Sequence, residues 1–315
     1  MIFQISLFSV ILSIVLALAL EQARPLSGVR VDAALAAIGR RFEAWFNAGE
    51  AHHGAIAWGM FAALPSVLVL VMQVALDWFA PWLVWVLGVV VLYFTVGFRQ
   101  YSHYFTDIHL ALRMGELDRA RALLGEWRGV NSDRLNSGEV ARLAIEQALV
   151  NSHRHVFAPL LLFSLFGPVG AMLYRLSLAC FRMWGEQGDR VSRDFAQYSR
   201  RAYALIDWFP QRVTAVAFAV VGDFEDAVYC WRTQATLWPD AATGILLSSG
   251  AGALGVRLGM PLQFGADTDG GMARPVLGMD EDADADFMRS TIGLVWRTLV
   301  LGVFMLALLW VASWT

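Results

Sequence analysis

The chain is 315 residues long, with 57% of them hydrophobic and only 16% charged. Soluble domains run nearer about 45–50% apolar and about 25% charged, so an ordinary cytosolic globule is excluded and a membrane class is indicated. A net charge of −3 implies neither a nucleic-acid footprint nor a strongly acidic partner.

All 24 basic residues are arginine, which genomic composition explains more simply than function does. Two cysteines, Cys180 and Cys230, are too few for a disulfide framework. Each lies in an apolar helical stretch and reads as a small buried residue. No CxxC or HExxH occurs, and the six histidines all precede residue 156.

In chain order, four runs reach the roughly 20 apolar residues that a hydrocarbon core of about 30 Å requires: 2–20, 55–76, 78–98 and 292–311. The first resembles a signal peptide, but it has no basic flank and ends at Glu21 rather than at a small-residue cleavage site. It reads as a retained span. The second and third runs meet at Asp77 and Pro81, as a tight helical hairpin would. Trp58, Trp78, Trp82, Trp85, Trp310 and Trp314 lie near run ends, where interface anchors belong.

Arginine placement sets the orientation. The loop 22–54 carries Arg24, Arg30, Arg40 and Arg41, the 77–81 connection carries none, and 99–155 carries eight. The N-terminus is therefore expected outside, with 22–54 and 99–155 cytoplasmic. Within 99–155, "RMGELDRARALL" reads as helix–turn–helix about Gly115, and Asn136 or Ser137 with Glu139 starts a further helix. Residues 156–174 are apolar but interrupted by Pro159, Gly167, Pro168 and Gly170. Residues 202–221 are apolar over too short a stretch unless 203–209 join the same helix. Both read as broken or re-entrant membrane segments, tolerated where they line a cavity or are buried in protein. The seven arginines of 175–212 favour a cytoplasmic return after 156–174. A polar loop at 262–289 then leads into the last span, with Asp282, Asp284 or Asp286 able to cap it. The expected fold class is an all-α, polytopic integral membrane protein, treated as a single domain over 1–315. It has four spanning helices, two broken or re-entrant segments and a cytoplasmic helical portion.

Three constellations could carry chemistry. The acids Asp267, Asp269, Asp280, Glu281, Asp282, Asp284 and Asp286 lack the ligand alternation of a calcium loop and read as a solvated loop and helix cap. His103, His109, His153 and His155 make a poor metal site, because a spacing of two residues turns the last pair to different helix faces. The glycine-rich stretch 248–265, "SSGAGALGVRLGMPLQFG", could admit a phosphate at a helix start or let helices pack closely.

That stretch, "AGALGVRLG" (251–259) above all, resembles the C-terminal signature of the CobD/CbiB cobalamin-biosynthesis family. "GELDRARALL" (115–124), "FAPLLLF" (157–163), "GPVGAMLYR" (167–175), "FPQR" (209–212) and "RPVLG…RSTIGLVW" (274–296) follow in the same order. The resemblance implies a multi-spanning inner-membrane protein related to enzymes that use ATP and a metal to join an aminopropanol unit to adenosylcobyric acid. "IDWFPQRVTAVAFAVVGDFEDAVYCW" (206–231) is also similar to the AmpE branch, associated with signalling for β-lactamase induction.

Where the family's enzymes carry acids, this chain departs. Their second acid falls on Val150 and the following Asp on Arg154. Their Asn-Thr-Leu-Asp run falls on Leu178, Ala179, Cys180 and Phe181, and their paired aspartates on Tyr203 and Ala204. Their Ser-Pro-Asn and nearby Glu fall on Asp240, Ala241, Ala242 and Leu247. The retained polar residues are Glu146, Asn151, Tyr174, Arg175, Arg201, Asp207 and Arg212, with Asp207 a partner for Arg212 or Arg175. Together with Gly252, Gly255 and Gly259 they are the ligand-pocket candidates, and no catalytic residue or metal ligand is assigned. The expectation is an inner-membrane, non-catalytic binding or signalling module without cofactor. Its partners are the lipid bilayer and a small-molecule ligand or another membrane or cytoplasmic protein, with no nucleic acid. The alternative is an adenosylcobinamide-phosphate synthase using ATP and Mg²⁺.

Overall fold

The computed structural model describes residues 7–24, 28–46, 51–129, 131–186, 193–262 and 274–312. Residues 2–6 of the first run, Trp314, Asp267 and Asp269 lie outside them. Among the described residues the chain is helical, with one small three-stranded sheet. Contacts divide it into two compact units. The first comprises residues 1–100, 154–210 and 305–315, and the second 101–153 and 211–304.

In the first unit, α1 (Leu7–Ala23) packs against α5 (Trp82–Thr95), and the amphipathic α2 (Gly28–Phe46) lies between them in sequence. A continuous helix is built from α3 (Ala51–Trp58), a π-helical turn (Gly59–Ala63) and α4 (Leu64–Phe79). The wide turn falls just before Pro65, whose ring would otherwise press on the carbonyl one turn back. A second π-helical turn (His153–Phe157) precedes Pro159 in the same way and leads into α9 (Ala158–Phe166). Gly167 (φ +68°) then reverses the chain into α10 (Pro168–Cys180). A Cβ on Gly170 would meet the Leu162 carbonyl, so glycine there allows α9 and α10 to close on each other. The core of this unit gathers Ala57, Phe61, Ala62, Leu176, Ala179, Cys180, Trp184 and Phe195. Its centre is an edge-on contact between the rings of Phe61 and Trp184 at 5.8 Å.

Two of the four expected spans, 55–76 and 292–311, fall inside helices of spanning length and composition, His52–Phe79 and Ala285–Ala312. The runs 2–20 and 78–98 correspond to shorter apolar helices, Phe8–Ala23 and Trp82–Thr95. At the hairpin between α4 and α5, Trp78, Phe79 and Trp82 are 84%, 86% and 66% exposed, as interfacial anchors are.

The reading of 202–221 as broken is corrected. It belongs to one helix, α11 (Arg193–Val221), which runs through Pro210 and is itself of spanning length at Asp194–Val221. Pro210 removes a single N–H, which a long helix absorbs. Polar residues on one face of the first half had hidden its continuity.

The second unit begins with α6 (Phe98–Arg113), Gly115 at φ +76°, and α7 (Leu117–Arg128), the expected helix–turn–helix. Helix α8 (Ser137–Ser152) opens with a full capping box. The Asn136 side chain accepts from Glu139 N–H, and the Glu139 carboxylate accepts from Asn136 N–H. Such a cap contributes about 1 kcal/mol. Helix α12 (Phe224–Gln234) packs on α13 (Ala241–Leu254), and strand β1 (Val256–Gly259) follows directly.

The expected loop 262–289 contains two strands that sequence reading missed, β2 (Val276–Gly278) and β3 (Glu281–Asp282). β2 pairs antiparallel and β3 parallel to β1, with Leu258 opposite Leu277. Three- and two-residue strands are too short to show an alternating pattern. Asp284 then accepts from the N–H groups of Asp286 and Phe287 and starts α14 (Ala285–Ala312), as one of the expected caps.

Candidate functional site

In the second unit, Glu139, Arg142 and Glu146 are spaced three and four apart, so α8 aims all three to one face. Their backbone is buried and so are their side chains. Both carboxylate oxygens of Glu146 lie 2.8 Å from Arg274 Nη2, and Gly259 N–H donates to Oε1 at 2.9 Å. Arg274 also donates from Nε to the Met260 carbonyl at 3.2 Å and stacks over Trp238, with 5.5 Å from Cζ to the ring centre. Arg128 Nη1 stands 3.9 Å from the same carboxylate. This clasp ties the segment after β1 and the approach to β2 onto α8. Glu146 and Gly259, both expected in a pocket, are thus brought together. Arg274, Arg142 and Arg128 were missed. The one signal for Arg274 was its place at the head of "RPVLG".

Among its described residues, 248–262, the glycine stretch forms the end of α13 and strand β1 rather than the start of a helix. Gly252 and Gly250 lie inside α13, where a Cβ would strike the Asp226 carbonyl and the Leu149 side chain. Gly255 ends the helix in the left-handed conformation at φ +71°. These are packing and capping roles.

In the first unit, Tyr174 on α10 donates to Asp207 on α11 at 2.8 Å, and its oxygen lies 3.2 Å from the Tyr203 hydroxyl. The Tyr203 ring stacks on Phe181 at 4.6 Å, and Arg154 lies over the other ring with Cζ 5.7 Å from the Phe181 centre. Arg154 Nη1 is 3.4 Å from Glu186. Arg175 is bound to Asp32 and lies 3.1 Å from His155 Nδ1, so of the two partners expected for Asp207, Arg212 or Arg175, the second is corrected. Arg182 approaches both His155 Nε2 at 2.8 Å and Asp32 at 3.8 Å. A neutral imidazole accepts at one nitrogen only, so at most one of these guanidiniums donates to His155 in a given tautomer. Arg175 was a pocket candidate, but Asp32 and Arg182 were missed, because residues 32, 155, 175 and 182 come from three distant stretches.

Of the remaining candidates, Arg201 is exposed and Arg212 half-buried. Asn151 is buried, with no hydrogen-bond partner for Oδ1 among the described residues.

Positions 154, 181 and 203, which the resemblance gives to enzyme aspartates, meet at one place in this unit, as Arg154, Phe181 and Tyr203. Three carboxylates there would suit a hard cation. A guanidinium and two aromatic rings do not. Among the described residues no three His, Cys, Asp or Glu side chains are grouped to hold a metal ion. These residues do not fit a metal–nucleotide cage.

Comparison with known proteins assigns the frame. The family model for the CobD/Cbib protein matches residues 10–312. The cobalamin biosynthesis protein CobD of Stutzerimonas stutzeri is 34% identical over 282 residues, covering 87% of this chain and 89% of that one. The CobD of Chromobacterium violaceum is 35% identical over 179 residues, 57% of each chain. That of Brucella anthropi is 30% identical over 201 residues, covering 62% of this chain and 61% of the relative. No solved structure matches the chain. With a family model spanning nearly its whole length and a relative of this identity aligned over most of both chains, the chain belongs to the CobD/CbiB family.

Proposed function

We propose that this membrane protein serves cobalamin biosynthesis as an adenosylcobinamide-phosphate synthase, forming the amide between adenosylcobyric acid and an aminopropanol unit. The observation that carries this reading is the similarity, over 87% of this chain, to a relative named as a cobalamin biosynthesis protein. The Glu146–Arg274–Gly259 clasp agrees with it, since it joins the elements quoted for the family resemblance, "AGALGVRLG" and "RPVLG". The relatives' names favour this reading over the signalling role expected from the AmpE-like segment.

A second reading keeps a specific observation of its own. Arg154, Phe181 and Tyr203 occupy the meeting point of three positions that resemblance gives to acids, which suits a member that binds without metal chemistry. One genetic experiment separates the two. A strain lacking its own synthase of this family receives the gene and is grown where growth depends on cobalamin made from adenosylcobyric acid. Restored growth is expected. Failure to grow, with the protein shown by immunoblot to be in the membrane fraction, would sink the biosynthetic reading.

The site of action is proposed to be the bacterial inner membrane, with 22–54 and 99–155 on the cytoplasmic face, on the strength of their arginines. Cys180 and Cys230 are buried, and burial pushes the Cys230 thiol up to about 11, so native background labelling is low. A thiol introduced at the exposed Asp133 (D133C) is expected to react with a membrane-impermeant maleimide only after the cells are permeabilised. Labelling of intact spheroplasts would reverse the orientation.

A further inference from the structure

Helix α2 is apolar on two sides. Its inner face is fixed to the first unit, where Leu35, Phe42 and Phe46 pack against the cluster of Ala57, Phe61 and Trp184. The Phe42 ring meets that of Phe61 edge-on at 5.7 Å. A Cβ on Gly39 would strike the Met183 thioether, so glycine lets the helix settle closely there. The rotation of the helix is therefore set, and so is what it turns outward. Its exposed residues are Ala33, Ala34, Ala37, Ile38, Arg40, Arg41, Ala44 and Trp45, with Ile38 47% and Trp45 72% exposed. A helix on an aqueous surface turns mainly polar residues outward. This one presents an isoleucine, a tryptophan and four alanines beside two arginines, and no acid. The two acids of α2, Asp32 and Glu43, are half-buried, and Asp32 is held by Arg175 and Arg182. Beyond the Met183 contact, Glu186 is paired with Arg154 at 3.4 Å.

Chain length fixes where this face can lie. Helix α2 sits between the apolar α1, which ends at Ala23, and the helix of spanning length His52–Phe79. Two successive membrane helices place the segment that joins them on one side of the bilayer. Four residues, 24–27 and 47–50, separate α2 from α1 and from α3, a reach of about 18 Å at full extension. The 19 residues of α2 measure about 28 Å. Standing upright, the helix would carry one end farther from the membrane than its connector can follow, so it lies along the surface. There Ile38 and Trp45 suit the boundary between headgroups and acyl chains, and arginines on long apolar stems suit lipid phosphates.

We propose that the outer face of α2 is a docking surface for anionic phospholipid headgroups, with Ile38 and Trp45 at the acyl boundary and Arg40 and Arg41 on the phosphates. The proposal rests on the reading that α1 and His52–Phe79 lie in a bilayer, and it is independent of any reaction the chain performs.

The test uses the full-length protein in nanodiscs of phosphatidylcholine, alone or mixed with phosphatidylglycerol. Spin labels are attached to the variants A37C, D133C and V71C, since Cys180 and Cys230 are buried. Ala37 lies mid-way across the exposed face, Asp133 on an exposed turn of the second unit, and Val71 on the exposed side of the spanning helix. Collision with oxygen reports lipid, and collision with a nickel chelate reports water. The oxygen-to-nickel ratio at A37C is expected to exceed that at D133C several-fold, and to rise further with phosphatidylglycerol. Anionic lipid favours the docked helix by about fivefold for each arginine, so R40Q/R41Q is expected to erase the difference between the two disc types. If A37C is as open to the nickel chelate as D133C while V71C reads lipid, the docking is overturned and the membrane reading stands. Aqueous readings at both A37C and V71C would bring down the membrane reading, and this proposal with it. Closure of A37C to both reagents would mean that protein covers the face, which also overturns the proposal. A ratio indifferent to phosphatidylglycerol would rule out anionic headgroups as the partner.

Discussion

Arg274→Ala is expected to be among the most damaging single substitutions in the second unit, at about 3–5 kcal/mol, the usual cost of stripping one partner from a buried ion pair. Glu146 is 4% exposed and holds both oxygens 2.8 Å from the Arg274 guanidinium. Removing that group leaves a carboxylate in a site that water does not reach. The Met260 carbonyl and the face of Trp238 lose their contacts as well. Arg128, at 3.9 Å, supplies a second cation and draws the loss toward the lower end of the range. In detergent micelles this corresponds to a fall in Tm of roughly 10 °C. The paired replacement E146L/R274M removes both charges, and is expected to recover most of the loss, since apolar pairs of similar volume often match or exceed a buried ion pair. A Tm for R274A within a degree of the parent would mean that the clasp contributes nothing. A double variant no better than R274A would mean that lost packing, not stranded charge, causes the damage.

That clasp also marks where sequence reading stops. Helices came through clearly: the break at Gly115, the helix start at Asn136 or Ser137, the interruption at Gly167 and the aspartate cap of the last helix are all local signals, written within four residues of where they act. Glu146 stood out as a retained acid, yet its partner lies 128 positions away beyond a glycine-rich stretch, and no periodicity links the two. Arg175 was expected as one of two partners for Asp207, the other being Arg212. It found Asp32 instead, on an amphipathic helix whose arginines and aromatic residues drew attention away from its single early acid. Helix α11 was misjudged for a different reason. A proline and a polar face in its first half break a hydropathy average, although neither breaks a helix whose remaining backbone bonds are intact.

The glycines of α13 and β1 permit a second test with large expected effects, and it separates close packing from phosphate binding. Gly255 has open space around it and φ +71°, so Gly255→Ala meets only the penalty of the left-handed conformation, about 1 kcal/mol. Gly252 has an ordinary helical backbone, but a Cβ there would run into the Asp226 carbonyl and the backbone of Ala227 on α12. Neither can yield without separating the two helices, so Gly252→Ala is expected to cost about 2–3 kcal/mol as overpacking. Gly259 suffers both effects at once. At φ +73° its Cβ would land on the Pro275 carbonyl, and any shift of the strand would also pull its N–H from Glu146. Gly259→Ala is therefore expected to be the most severe of the three, at about 4 kcal/mol, because strain, collision and a loosened carboxylate add. The order of Tm values should run 255, 252, 259 from least to most damaged, with full-length protein in the same micelles. A phosphate-binding role for this stretch predicts the opposite kind of result. The variants would keep their Tm in the absence of ligand and lose only the stabilisation that added phosphate confers.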